Sequence, residues 1–436
     1  MSTPQRVAVI GGGYAGMAAA AELASRGVAV SVFEAARMLG GRARRVEKHG
    51  VTLDNGQHIL VGAYVELLRL MRLVGADPAV NLTRLPLTLV FPRTSAFSPG
   101  FKLKAPRLPA PLHLAAALLT ARGLPLVARL AAIRFMRAMQ RRNFRLAQDT
   151  PLSALLDAYR QPESLRRYLW NPLCLSALNT PTDVASAQIF LNVLRDTLAA
   201  KRAASDLLLP RVDLSALFPE PAAGYVRRHG GEVLLGTTIH AVLRETDHFR
   251  LQGDPLERCF DQVILAVPPF CLAALLSAMP EMKATTDCVA AFQYEPILTA
   301  YLRYPKPVRF AEGMVGIAGG TAHFLFSRES DRMVVAVISA GGPHLALDRE
   351  ALAEHLHAEV QAIAGPLPQP EWTQIIAEKR ATFACTPGLK RPDSRTALPG
   401  LFLAGDYVAS DYPATLESAV RSGVGCARII TGTSRD

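Results

Sequence analysis

The sequence predicts an α/β fold in which a Rossmann-type domain carries an inserted α+β domain, and three stretches predict it. Residues 6–35, RVAVIGGGYAGMAAAAELASRGVAVSVFEA, read as strand, glycine turn, alanine-rich helix and second strand. Residues 261–269, DQVILAVPP, supply another apolar strand, and residues 400–423, GLFLAGDYVASDYPATLESAVRSG, supply a strand followed by a helix. Between them lie two excursions that break the βα rhythm. The expected division is therefore 1–84, 206–274 and 376–436 for the Rossmann-type domain. Residues 85–205 are a basic helical insertion, and 275–375 a strand-containing substrate-binding insertion.

The first turn reads Gly11-x-Gly13-x-x-Gly16, and Glu34 closes the second strand 18 residues after Gly16. Gly11 makes the tight turn, Gly13 lets backbone approach a pyrophosphate, and Gly16 lets helix and strand pack closely. Tyr14 and Ala15 lie at the start of the helix, whose N-terminus turns partial positive charge toward phosphates. Glu34 is placed to bond a ribose 2′-hydroxyl, which favours FAD or NAD over NADP.

RMLGGRA follows at 37–43, with Arg37, Gly41 and Arg42 as further candidate contacts. The glycines before Arg42 allow close approach, so its guanidinium can reach a second phosphate or the flavin edge. A second crossover helix, expected for NAD, does not come next.

The chain instead enters LDNGQHIL (53–60), where Asp54, Asn55, Gln57 and His58 surround Gly56. One reading is a turn whose polar groups satisfy backbone. The other makes Asp54, Gln57 and His58 the polar lining of a catalytic pocket. In that reading His58 is the acid, since a free histidine titrates near pH ~6.5.

Charge is unevenly spread. Between Phe101 and Thr150 there are ten Lys or Arg against one acid, Asp149, so this segment holds +9 of the net +11. Arg134, Arg137, Arg141 and Arg145 follow 3,4,4 spacing as one charged stripe, with Leu126, Leu130 and Ile133 as an apolar stripe just before it. Such a patch wants an anionic partner. The cations alternate with Leu and Ala, not with aromatics, and no nucleic-acid motif occurs. An anionic membrane surface is thus favoured over nucleic acid, with a solvated helix face as the plain alternative. Next, WNPLCLSALNTP (170–181) sets Trp170, Asn171 and Asn179 among apolar residues as candidate substrate contacts. Both asparagines could equally cap helix ends near Pro172 and Pro181.

Half the residues are hydrophobic and 19% are charged, which suits a well-buried globular chain and excludes a disordered one. Six cysteines without a CxxC pair suit neither zinc nor a disulfide framework and read as reduced thiols; no metal site is expected. The uncharged run Gln262–Pro280 is broken by Pro268-Pro269 and does not read as a membrane span. The first ten residues lead straight into a strand, so the expected location is cytoplasmic, peripheral to the inner face of the cell membrane. GGEVLLGTTIHAVL (230–243), ILTAYLRY (297–304) and RMVVAVIS (332–339) read as strands, and Ile239 is a further candidate cofactor contact.

In the last block, Gly405 and Asp406 end an apolar strand, where Asp406 could bond a ribityl or phosphate-side hydroxyl. A helix is expected from Pro413, with free N–H groups around Thr415 and Leu416 facing negative charge on a reduced flavin.

GxGxxG with Glu34, GGR, VILAVPP and LFLAGD…ATLESAVRSG together resemble the FAD-containing amine oxidase and carotenoid desaturase superfamily, over most of the chain. Within it, DNGQHILVGAY, WNPLCLSALNTP, KRATFACTP (379–387) and DYPATLESAVRSG are similar to the hydroxysqualene dehydroxylase family. Tyr407 stands where that pattern leads one to expect Trp. The resemblance implies a GR2-like flavoprotein that reductively removes the allylic hydroxyl of hydroxysqualene to give squalene. An acid would assist loss of the hydroxyl, and hydride from reduced flavin N5 would reach an allylic-cation-like carbon. No second GxGxxG occurs, so the reductant, NAD(P)H or a partner reductase, is left open. Two other classes stay open: an oxidative phytoene-type desaturase or isomerase, and a non-enzymatic escort of prenylated cargo. Intact Glu34, Arg42 and Asp406 argue against the escort.

Overall fold

The structure, a computed structural model, describes residues 6–94, 100–254, 256–310 and 312–433. Residues 1–5, the expected lead-in to the first strand, lie outside this range. A five-stranded parallel sheet forms the base, in the order Glu232–Leu235, Ala29–Glu34, Arg6–Ile10, Gln262–Leu265, Leu401–Leu403. Its strands come from all three blocks expected to build it. The central strands are short and buried on both faces, which is why VAVI, QVIL and LFL are nearly unbroken apolar runs, while Glu232–Leu235 forms a largely unburied edge.

Two helices cross on one face of this sheet. Tyr14–Ala24 is alanine-rich and wholly buried, which lets Leu416–Ile430 pack directly upon it at Gly423. The last helix therefore begins at Leu416, with Thr415 as its N-cap, not at Pro413. Thr415 Oγ1 accepts from the Ser418 N–H and the Ser418 hydroxyl reaches back, so the sequence T-L-E-S fixes the start.

A second, antiparallel sheet stands over the site. Its order is Met314–Gly316, Phe324–Arg328, Met333–Ser339, Tyr294–Arg303, Trp372–Phe383. Period-two alternation gives it two faces. Leu298, Ala300 and Leu302 pack on the helix Arg349–Ala364, while Tyr301, Val335 and Phe326 pack on Leu53 of the polar knot. Residues 230–243 form two strands in different sheets, Glu232–Leu235 in the parallel sheet and Ile239–Arg244 in an antiparallel trio.

The 85–205 stretch is helical from Leu112 onward, but it opens with a hairpin, Thr88–Phe91 paired to Phe101–Lys104. The helical expectation missed it because TLVF and FKLK are four residues each, too short for a period to register. The charged stripe is also shorter than expected. The helix Leu126–Arg141 carries Arg134, Arg137 and Arg141, but positive φ at Asn143 and Phe144 ends it before Arg145. Among the described residues no helix is long and apolar enough to cross a membrane, and all six cysteines are free.

Candidate flavin-binding and active site

The glycine fingerprint works as a steric necessity. A Cβ on Gly16 would lie inside the Gly11 carbonyl oxygen, and one on Gly11, at φ +113°, would meet the Ala266 oxygen at 2.5 Å. Gly13 is different. Its added Cβ would meet nothing nearer than Gly41 Cα at 3.8 Å, so the two glycine turns pack backbone on backbone with no side chain between them. They are tied there, since Gly40 N–H donates to Gly12 O at 2.9 Å. Glu34 holds this loop through Oε2, which accepts the Gly12 N–H at 2.6 Å, and Oε1, which accepts the Ala36 N–H at 2.8 Å.

The Tyr14 ring is turned into the core, its hydroxyl donating to Leu214 O at 2.7 Å, so only the backbone of Tyr14 and Ala15 faces the turn. Arg37 is exposed beside Gly236. Ile239 opens its strand, almost fully buried at a bulge.

Arg42 joins the first block to the last. Its Nη2 lies 2.6 Å from Asp406 Oδ1, and its Nη1 donates to Ala381 O at 2.5 Å. Burial works against the guanidinium charge, but Asp406, with Glu378 behind it, more than offsets this and raises its pKa. Gly405 N–H donates to Ser422 Oγ, which sets the turn that aims Asp406.

The knot splits into two roles. Asp54 Oδ1 accepts the Leu214 N–H at 2.9 Å, and its carbonyl accepts from the Tyr301 hydroxyl at 2.8 Å. Burial, aided by Asp213, pushes the Asp54 carboxyl up to about 6. Gln57 gives its N–H to Thr299 Oγ1 at 3.4 Å and its side-chain amide to the His58 carbonyl at 3.3 Å. His58 Nδ1 sits 2.8 Å from Gly56 O. A carbonyl only accepts, so Nδ1 carries the proton and Nε2 offers a lone pair. Burial, and then the Arg42 charge, push the imidazolium pKa down. The structure thus favours the neutral form of His58, with Nε2 as an acceptor, over the imidazolium that the acid role requires. The sequence shows neither the burial that chiefly lowers this value nor Arg42 folding next to the ring.

The 170–181 candidates go mostly to structure. Trp170 is 1% exposed, donates Nε1–H to Gln161 Oε1 at 3.0 Å, and packs edge-on against Phe135 and Phe190. Asn179 is a left-handed C-cap, with Oδ1 accepting from Ala340 N–H and Nδ2 donating to Thr382 Oγ1. That leaves no free amide group for a substrate hydroxyl. Asn171 is the first residue of the helix Asn171–Leu178, not a cap, and only accepts from Thr182 at 3.5 Å.

Sequence reasoning missed Tyr294 and Glu378. Glu378 Oε2 accepts from Asn55 Nδ2 at 3.2 Å, and the same amide bonds Arg42 O at 3.1 Å. Tyr294 stands beside Arg42 and Asp406, and its hydroxyl is buried without a partner, as is that of Tyr407. Only the motif KRATFACTP hinted at this side of the site.

These residues fit a flavin dinucleotide. The abutting turns at Gly13 and Gly41 present backbone without side chains. The Leu416 and Glu417 N–H groups have no intrahelical acceptor. Two orphaned phenols flank the Arg42–Asp406 pair. Fold and site together define an FAD-dependent oxidoreductase.

Residues 14–431 match the model of the flavin containing amine oxidoreductase family. The chain belongs to that family. Hydroxysqualene dehydroxylases from Zymomonas mobilis subsp. mobilis and Rhodopseudomonas palustris are 30% and 31% identical to it, covering 95% and 98% of this chain and 96% and 99% of theirs. A zeta-carotene desaturase from Zea mays is 23% identical, covering 99% of this chain and 84% of its own. Among solved structures, a putrescine oxidase variant superposes with a TM-score of 0.75 at 18% identity, covering 99% of both chains.

Proposed function

We propose that this FAD-dependent oxidoreductase removes the allylic hydroxyl of hydroxysqualene reductively and releases squalene. The observation that carries the reading is likeness along essentially the whole chain to hydroxysqualene dehydroxylases. Its balance is R–OH + 2 e⁻ + 2 H⁺ → R–H + H₂O. When bound and reduced, FAD supplies the hydride.

The chain's own residues bind, orient and keep the site dry. Gly11, Gly13, Gly41 and the Leu416 helix start hold the dinucleotide; Arg42 and Asp406 fix its middle. His58 Nε2 accepts a hydrogen bond from the substrate hydroxyl and Gln57 steadies that loop, while Asp54 keeps the knot in register from behind.

The substrate reaches the site from a bilayer whose anionic headgroups meet the basic segment. Leu112, Leu126 and Val127 are 58%, 60% and 71% exposed beside exposed Arg122, Arg134, Arg137 and Arg141. Beneath these helices lies an apolar cavity lined by Leu103, Leu114, Leu118, Met136, Trp170 and Leu198. Trp170 thus faces lipid-like space on one side, as well as the core.

The test is anaerobic incubation of chemically reduced, FAD-loaded protein with hydroxysqualene, with products separated by mass. Squalene supports the reading, and unchanged hydroxysqualene sinks it. A zeta-carotene-type desaturase is the second reading, favoured by the Zea mays relative. Oxidation of a polyene by the oxidised enzyme would support that reading instead.

A further inference from the structure

We propose that the surface around Phe270, Arg380 and Lys390 is where an acidic one-electron carrier protein docks to reduce the cofactor. Arg380 lies 4.5 Å over the Phe270 ring and 5.8 Å from the Tyr294 ring. The two rings meet edge-on, with centroids 6.4 Å apart. Phe270 is 47% exposed, a large aromatic side chain at the surface whose cover is a cation.

The patch is positive and uncommitted. Lys379, Arg380 and Lys390 are exposed, and none has an ion-pair partner among the described residues. Lys390 is brought in by its carbonyl, which accepts from Cys288 Sγ at 3.5 Å. Cys288 sits on the helix Lys283–Ala290, which packs on the turn Pro269–Cys271. On that helix Lys283 is already neutralised by Asp287. Asp393 follows in the same loop, and the balance stays positive.

Tyr294 gives the patch an inner end. Its ring touches the surface stack, and its unpartnered hydroxyl lies within the fields of Arg42 and Asp406. Phe270, Arg380 and Tyr294 therefore form a continuous path from solvent to the residues that hold the cofactor. This path decides the kind of donor. A nicotinamide must touch the cofactor to pass hydride. An electron passes through such a stack without contact between donor and cofactor. The absence of a second GxGxxG agrees. Two encounters deliver two electrons, each oxidising one carrier, and protons come from water. The inference rests on the reductive reading only for the direction of flow.

The probe is a reduced [2Fe–2S] ferredoxin of acidic surface, mixed by stopped flow with the full-length FAD-loaded protein. Cofactor reduction should slow about tenfold between low and high salt. Arg380→Glu combined with Lys390→Glu should slow it by a further factor of about ten and weaken calorimetric binding of the oxidised carrier, with Arg380→Gln intermediate. Reduction by dithionite, and turnover of the pre-reduced protein, should stay at wild-type level in these variants. Unchanged rates and binding in the charge reversals would overturn the inference. So would NADPH alone reducing the wild type faster than ferredoxin does. If the patch effects hold while pre-reduced protein leaves hydroxysqualene untouched, the docking surface stands and the assigned reaction falls.

Discussion

Arg42 and Asp406 are 364 residues apart in sequence and 2.6 Å apart in the fold. Their bridge fastens the GGR turn to the end of the last parallel strand, so the two ends of the chain define one site. Asp406→Ala would leave the half-buried Arg42 guanidinium unpaired. It should cost about 2 kcal/mol of stability and yield protein that loses its yellow colour on gel filtration, checked by the flavin absorbance ratio. Asp406→Asn, which keeps an acceptor, should lose less.

Gly16→Ala should be harsher than its one methyl suggests. The new Cβ would overlap the Gly11 carbonyl, and neither backbone segment can yield without opening the β-strand to helix contact. Colourless protein with a melting point several degrees lower is expected, measured by thermal denaturation with and without added FAD. Wild-type flavin content would contradict the packing argument.

Asp54 should leave a mark on the pH dependence of stability. Its folded carboxyl titrates near about 6, above the ordinary value of 3.8. Between those values the native state holds a proton that the unfolded chain has released. Its contribution is therefore favourable at low pH and is lost as pH rises through about 6. Asp54→Asn keeps an acceptor for the Leu214 N–H and removes the titration. It should be more stable than wild type at pH 8, by on the order of 2 kcal/mol, with the difference vanishing near pH 4. Urea titrations at the two pH values measure this.

His58→Gln should lower kcat/KM for hydroxysqualene about tenfold, with flavin retained. Because burial and Arg42 hold His58 neutral, the wild-type rate should show no loss between pH 6 and 8 attributable to its deprotonation. A rate that falls along an imidazolium titration in that window would restore His58 as the acid.

Charge reversal of Arg134, Arg137 and Arg141 together should abolish co-sedimentation with anionic vesicles at low salt, leaving turnover in detergent unaffected. Wild-type protein that fails to pellet under those conditions would remove the membrane from the proposed function.

The fingerprint glycines, Glu34 and Asp406 were legible in sequence because each obeys a local rule: a turn that admits no side chain, or an acid ending an apolar strand. The same local logic placed Asn179 at a helix end. It could not show that bonds to Ala340 and Thr382 use up its amide, since those partners come from the bend after one strand of the antiparallel sheet and from within another. For Trp170 the sequence left both a substrate contact and a buried helix end open, and it could not show that Gln161 accepts its N–H.

By itself, then, the sequence determined the parallel sheet, the dinucleotide cradle and the family resemblance. Short-range sterics and hydrophobic period dictate the first two, and long motifs carry the third. Only the tertiary structure decided the state of the site. It set Arg42 near His58, buried Asp54 beside Asp213, and laid Arg380 over the touching rings of Phe270 and Tyr294. Protonation and charge pairing depend on distance and burial through space, and neither is written in the spacing of residues along a chain.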